Sequence, residues 1–139
     1  MAGYSQTPLV KKLGIKAGQT ITVVRPPEKF LARELQPLPE NVRMMVATRA
    51  KRLDFIMLFV SSARALHKEL PKLKQKLARD GTLWVSWPKK SSGVETDLSF
   101  DVVQQLGLKL GLVDVKICAV NEIWSGLKFV YRLKDRSSI

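Results

Sequence analysis

The chain has 139 residues, 45% hydrophobic and 26% charged, a size and balance that fit one domain with one core and exclude wholesale disorder. Its one cysteine, Cys118, excludes an internal disulfide framework and any zinc site made of cysteines alone. The net charge of +12 favours anionic partners, nucleic acid or phosphorylated small molecules among them, but a solvated basic surface has the same composition.

Residues 1–80 hold 16 Lys and Arg against 6 Asp and Glu, and residues 81–139 hold 8 against 6, so the surplus sits in the first part of the chain. The opening Met1-Ala2-Gly3-Tyr4-Ser5 lacks a basic-then-apolar leader pattern. The longest apolar run, Phe55 to Val60, is too short to cross a bilayer. The expectation is a soluble domain with no membrane partner, cytoplasmic by default.

In chain order, Thr7-Pro8 opens a short helix that Gly14 stops in the left-handed region. Thr20 to Arg25 is a β-branched strand ended by Pro26-Pro27. Glu28 to Leu35 reads as a short helix with Phe30, Leu31 and Leu35 inward, broken by Pro37 and Pro39. Val42 to Val46 is a weaker strand, followed by the basic loop Arg49-Ala50-Lys51-Arg52. Phe55 to Val60 is apolar on both faces, as a central strand covered by helices must be. Ser61-Ser62 can cap the next helix. In it Leu66, Leu70, Leu73 and Leu77 recur at helical spacing, Pro71 kinks or restarts it, and Asp80-Gly81 stops it. Thr82 to Trp87 is a strand and Pro88 to Glu95 a polar loop. Thr96 or Asp97 caps a helix bearing Leu98, Val102, Val103, Leu106 and Leu110, closed by Gly111. Val115 to Ile123 and Leu127 to Leu133 pair as a hairpin turned by Trp124-Ser125-Gly126, and Asp135 to Ile139 frays.

Alternation of strands and helices through residue 113 predicts a three-layer α/β sandwich with a mainly parallel, Rossmann-like sheet and a C-terminal antiparallel hairpin, in a single domain over residues 1–139. From residue 54 to 133 this order resembles the second half of the methyltransferase type of Rossmann fold. Two positions depart from that type. The first strand is followed by Arg25-Pro26-Pro27 rather than a glycine-rich turn. The second strand leads to Ala47-Thr48-Arg49 rather than to an acidic residue that would hold ribose hydroxyls. One strand–helix unit of that type is also missing from this order. At finer grain, residues 4–15, 84–93 and 121–130 (Tyr4-Ser5-Gln6-Thr7-Pro8, Trp84-Val85-Ser86-Trp87-Pro88-Lys89-Lys90 and Trp124-Ser125-Gly126 among them) resemble a family of small bacterial proteins with no assigned activity.

Ligands of open parallel sheets bind outside the carboxyl ends of the strands. The residues expected there are Arg25, Ser61, Ser62, Lys89, Lys90 and Ser92, and with a helix N-terminus they would form an anion-binding rim for a phosphate or carboxylate. The competing reading is a solvated loop with incidental lysines. Trp84 and Trp87 have opposite strand parity and should face opposite sides of the sheet. Trp124, expected in a turn, could stack on a base or pack back on its hairpin. Cys118 reads as a small buried hydrophobe and His67 as a surface residue. Asp97 and Asp101 share a helix face, but Asp97 is explained as a cap. No P-loop, zinc pattern or nucleophile elbow is present.

The sequence therefore points to an accessory domain binding an anionic small molecule or partner at the rim, without nominated catalytic residues, cofactor or metal. The alternatives are a divergent S-adenosylmethionine-dependent or other small-molecule transferase using the same rim, and a nucleic-acid-binding protein held by charge along Arg49 to Arg52 and Arg64 to Arg79.

Overall fold

The computed structural model describes residues 8–136. Helix α1 (Leu9–Leu13) ends at Gly14, whose φ of 85° is the left-handed turn a glycine supplies without strain. Thr7 and the other residues before Pro8 lie outside the described residues. Strand β1 (Thr20–Val24), helix α2 (Phe30–Arg33), strand β2 (Arg43–Met44), strand β3 (Leu53–Phe59) and helix α3 (Ala63–Lys76) follow. After them come β4 (Leu77–Pro88), α4 (Phe100–Lys109), β5 (Leu112–Ala119), β6 (Trp124–Tyr131) and the short α5 (Leu133–Arg136). Residues 137–139 of the expected frayed tail lie outside the described residues.

The sheet runs in the order β2-β1-β3-β4-β6-β5. The β1–β2, β1–β3 and β3–β4 pairs are parallel, and the β4–β6 and β5–β6 pairs antiparallel. The mainly parallel arrangement with an antiparallel hairpin is the expected architecture. Its centre is β3. Ile56, Leu58 and Val60 join one core with α3 and α4 through Leu66, Leu70, Leu73, Val103 and Leu106. Phe55, Met57 and Phe59 join a second core with α1 and α2 through Val10, Leu13 and Phe30. Burying both faces of one strand requires a helical layer on each side, which makes the three layers. Trp84 and Trp87 fall in opposite cores, as their parity requires. The fully buried Trp84 indole donates from Nε1 to the Leu13 carbonyl at 2.9 Å, tying α1 to the sheet.

Several boundaries differ from the sequence reading. Helix α3 ends at Lys76, and Leu77, expected within the helix, pairs with Leu53 as the first residue of β4. Gly81 is therefore not a helix stop. It lies inside β4, where a Cβ would come within 2.9 Å of the Asp54 carbonyl oxygen, beside the register shift between Leu53 and Phe55. Helix α3 runs through Pro71 rather than restarting there. Helix α2 and strand β2 are shorter than expected, and β2 is exposed. The cap of α4 is Ser99, which accepts from the Val102 amide at 3.4 Å, and not Thr96 or Asp97. The hairpin turns at residues 120–123, where Asn121 Oδ1 accepts from the amides of Ile123 and Trp124, both at 2.9 Å. Trp124 thus begins β6 instead of making the turn.

Gly107 sits in the middle of α4 with Phe129 of β6 against its backbone. A Cβ there would meet the ring at 2.1 Å. In an open helix Gly→Ala stabilises by about 0.5–1 kcal/mol. Here overpacking against a fully buried ring outweighs that gain, so Gly107→Ala is expected to destabilise by about 1–3 kcal/mol in urea unfolding. A stabilised variant would show that the helix and β6 separate freely.

Candidate functional site

The carboxyl ends of the parallel strands emerge together. Val24 lies beside Leu58, Phe59 beside Ser86, and the Val60 amide donates to the Ser86 carbonyl at 3.0 Å. Arg25, Ser61 and the chain beyond Pro88 consequently leave the sheet at one edge. The connection from β2 passes across β1 to reach β3, so the strand order reverses between β1 and β3, where folds of this kind open a ligand crevice.

The side chains at this edge fall into separate groups. Arg25 has left-handed backbone, φ 57°, uncommon for a residue with a Cβ. Its guanidinium pairs with Glu69 of α3 at 3.1 Å, the side chains being 51% and 19% exposed. The pair leaves Arg25 partly neutralised and tied to the helix, which a free anion-binding residue would not be.

Ser61 and Ser62 lie at the N-terminus of α3, where two of the first-turn amides already have side-chain acceptors. The Ser62 hydroxyl accepts from the Ala65 amide at 3.1 Å, and Asp97 Oδ1 accepts from the Ala63 amide at 2.8 Å. Thr96 donates its hydroxyl to the Ser61 carbonyl at 2.6 Å, closing the loop over the helix end. The cavity here, about 380 Å³, is lined by Ser61, Ser62, Glu95, Thr96 and Asp97. Two carboxylates thus stand where the expected rim was cationic.

Lys89 and Lys90 belong to a second cavity of about 380 Å³, together with Trp87, Phe100, Asp101 and Ser125. The Lys89 amide donates to the Ile123 carbonyl at 2.8 Å, so the hairpin turn positions it. Ser92 is committed to its own loop: it donates to the Lys89 carbonyl at 2.6 Å and accepts from the Val94 amide at 3.1 Å. Trp124 is half-buried, with its ring centroid 5.0 Å from that of Phe59 at 87°, so it packs edge-on against β3.

The remaining candidates are accounted for by structure. His67 is exposed and its Nδ1 lies 2.8 Å from the Ala63 carbonyl of its own helix. Burial pushes the Cys118 thiol up, against the opposing pull of Lys12 and Lys116. Among the described residues no three His, Cys, Asp or Glu side chains cluster to hold a metal. Also among them, no helix is long and apolar enough to cross a membrane. The sequence reading placed Glu95 in the polar loop without giving it a role at this edge, missed Glu69, and assigned Asp97 to the wrong helix. The pairings of Glu69 with Arg25 and of Asp97 with Ala63 span 44 and 34 residues, and no local pattern announces them.

No family model matches the chain and no curated protein sequence matches it, so the likeness to the small bacterial family rests on the three stretches that carry it. Solved structures do match. A DhpI–SAH complex aligns with a TM-score of 0.62 and 9% identity over 91% of this chain and 83% of that one. Magnesium protoporphyrin IX methyltransferase (ChlM) from Synechocystis with bound SAM aligns at 0.57 and 10% over 89% and 74%. Aeropyrum pernix fibrillarin with natively bound S-adenosyl-L-methionine aligns at 0.56 and 12% over 92% and 70%. The chain has a methyltransferase-like fold. Identities this low carry the fold alone.

Because Asp97 caps a helix from a distant loop, Asp97→Ala is expected to lower stability by about 1 kcal/mol in chemical denaturation. An unchanged midpoint would mean that water replaces the carboxylate at no cost.

Proposed function

We propose that this chain is a divergent S-adenosylmethionine-dependent transferase that holds its ligand at the carboxyl edge of the sheet. The observation that carries the reading is the charge layout of the loop after β4 on a methyltransferase-like fold. Lys89 and Lys90 stand at one end of that loop and Glu95 and Asp97 at the other. A ligand with a single negative group suits the lysine end and is repelled by the carboxylate end. S-Adenosylmethionine carries a carboxylate, an ammonium, a sulfonium and two ribose hydroxyls, and so matches both ends.

The residues that hold such a ligand here differ from the usual ones. The turn after β1 is Arg25-Pro26-Pro27, whose prolines give no N–H donors. Met45 and Val46 follow β2 and are exposed, with no carboxylate there to accept from hydroxyls. In this reading Glu95 takes that acceptor role. It is exposed and makes no hydrogen bond or ion pair among the described residues. Lys89 and Lys90 take the ligand carboxylate. The bound group supplies an activated methyl, and the chain binds and orients it between opposite charges.

The unusual β1 turn favours a second reading, an accessory domain that binds an anion at Lys89 and Lys90 without group transfer. Thermal-shift measurements separate the two. A ligand at a hundred times its dissociation constant stabilises by about 2.7 kcal/mol, a rise of several degrees for a domain of this size. S-Adenosylmethionine or S-adenosylhomocysteine is expected to give that rise, and Glu95→Gln combined with Lys89→Ala to remove most of it. A rise with citrate or phosphate but none with either adenosyl compound would replace the transferase with the accessory domain.

A further inference from the structure

A second concentration of positive charge lies at the opposite end of the sheet, where β3 and β4 begin and α3 ends. A cavity of about 460 Å³ there is lined by Lys51, Arg52, Lys76, Arg79 and Arg136, with Asp80 as its one acidic lining residue. That volume suits a small molecule, while a polymer backbone would lie across a flat face.

The cations reach this cavity from three separate stretches: the loop before β3, the α3–β4 junction, and α5. Some are fixed by the fold. Lys76 donates its ammonium to the carbonyls of Ala47 and, at 3.0 Å, Ala50, which holds the preceding loop against the end of α3. The Arg79 guanidinium lies 5.0 Å over the Tyr131 ring and donates to the Asp135 carbonyl at 3.3 Å. Arg136 donates through Nε to the Tyr131 carbonyl at 2.9 Å, which leaves its two terminal nitrogens uncommitted by that bond. Lys51 makes no ion pair among the described residues. Arg52 reaches Asp80 only at 3.9 Å, both side chains being highly exposed (71% and 83%), so the pair contributes little. Held guanidinium forks beside the free Lys51 ammonium are the donors that recognise phosphate oxygens, and the repulsion among these cations is relieved when a multiply charged anion enters.

We propose that this amino-edge cavity binds a small, multiply charged phosphate group, of the kind carried by pyrophosphate or a nucleotide's phosphate tail. It is separate from the edge assigned to the transferase reading and does not depend on it.

The test is calorimetric titration of the full chain with inorganic pyrophosphate at low and raised salt. Binding is expected, weakening as salt rises. The Lys51→Gln/Arg52→Gln variant changes exposed side chains only and should keep the wild-type melting temperature while weakening binding at least about tenfold. Lys109→Gln, an exposed position outside this cavity, should leave pyrophosphate binding unchanged. A second arm uses a short single-stranded oligonucleotide. Displacement of any bound oligonucleotide by pyrophosphate agrees with the proposal. Failure of pyrophosphate to bind, equal binding by the Lys51/Arg52 variant, or an oligonucleotide that pyrophosphate cannot displace would each overturn it.

Discussion

The double-sided burial of β3 governs this molecule. Phe55 to Val60 pack alternately into two cores, and all six are buried. Each large apolar side chain so buried contributes about 1.5–3 kcal/mol, less the entropy of ordering it. A strand used this way needs cover on both faces, and here helices supply it while both neighbouring strands run parallel to β3. The parallel pairing brings the ends of β1, β3 and β4 to a common edge, and the strand order reverses beside β1. The candidate site is a consequence of that arrangement.

The chemistry at the common edge is set by what the fold has already used. Helix α3 directs its N-terminus there, as helices in such sheets do, but its Ala65 and Ala63 amides are taken by Ser62 and Asp97. Their partial positive charge is matched inside the protein. The polar character left for a ligand comes from the loop after β4, with ammonium groups toward one end and carboxylates toward the other. An edge of mixed sign selects for a ligand of mixed sign, and this separates the transferase reading from a plain anion site.

The strands and their facing were legible because they rest on local pattern. The apolar run at residues 55–60 and the opposite parity of Trp84 and Trp87 both read directly into the two cores. The failures have a common cause in long-range contact. Asp80-Gly81 looks like a helix stop locally, but Gly81 is there because the Asp54 carbonyl approaches its backbone. Trp124-Ser125-Gly126 looks like a turn, but Gly126 lies in a strand, where a Cβ would meet the Trp84 ring at 3.1 Å, and Asn121 makes the turn. At the site, topology nominated six residues, of which Arg25, Ser62 and Ser92 are engaged within the protein. Their charge environment was not legible, because Glu69 and Asp97 arrive from other parts of the chain.

Amide hydrogen exchange with and without S-adenosylmethionine tests the central claim, that a mixed-charge ligand sits at the carboxyl edge. Added protection is predicted in the segments following β1 and β3 and in the loop at residues 88–98. Protection confined to the amino edge around Lys51, Arg52 and Arg79, or none anywhere at saturating ligand, would contradict it.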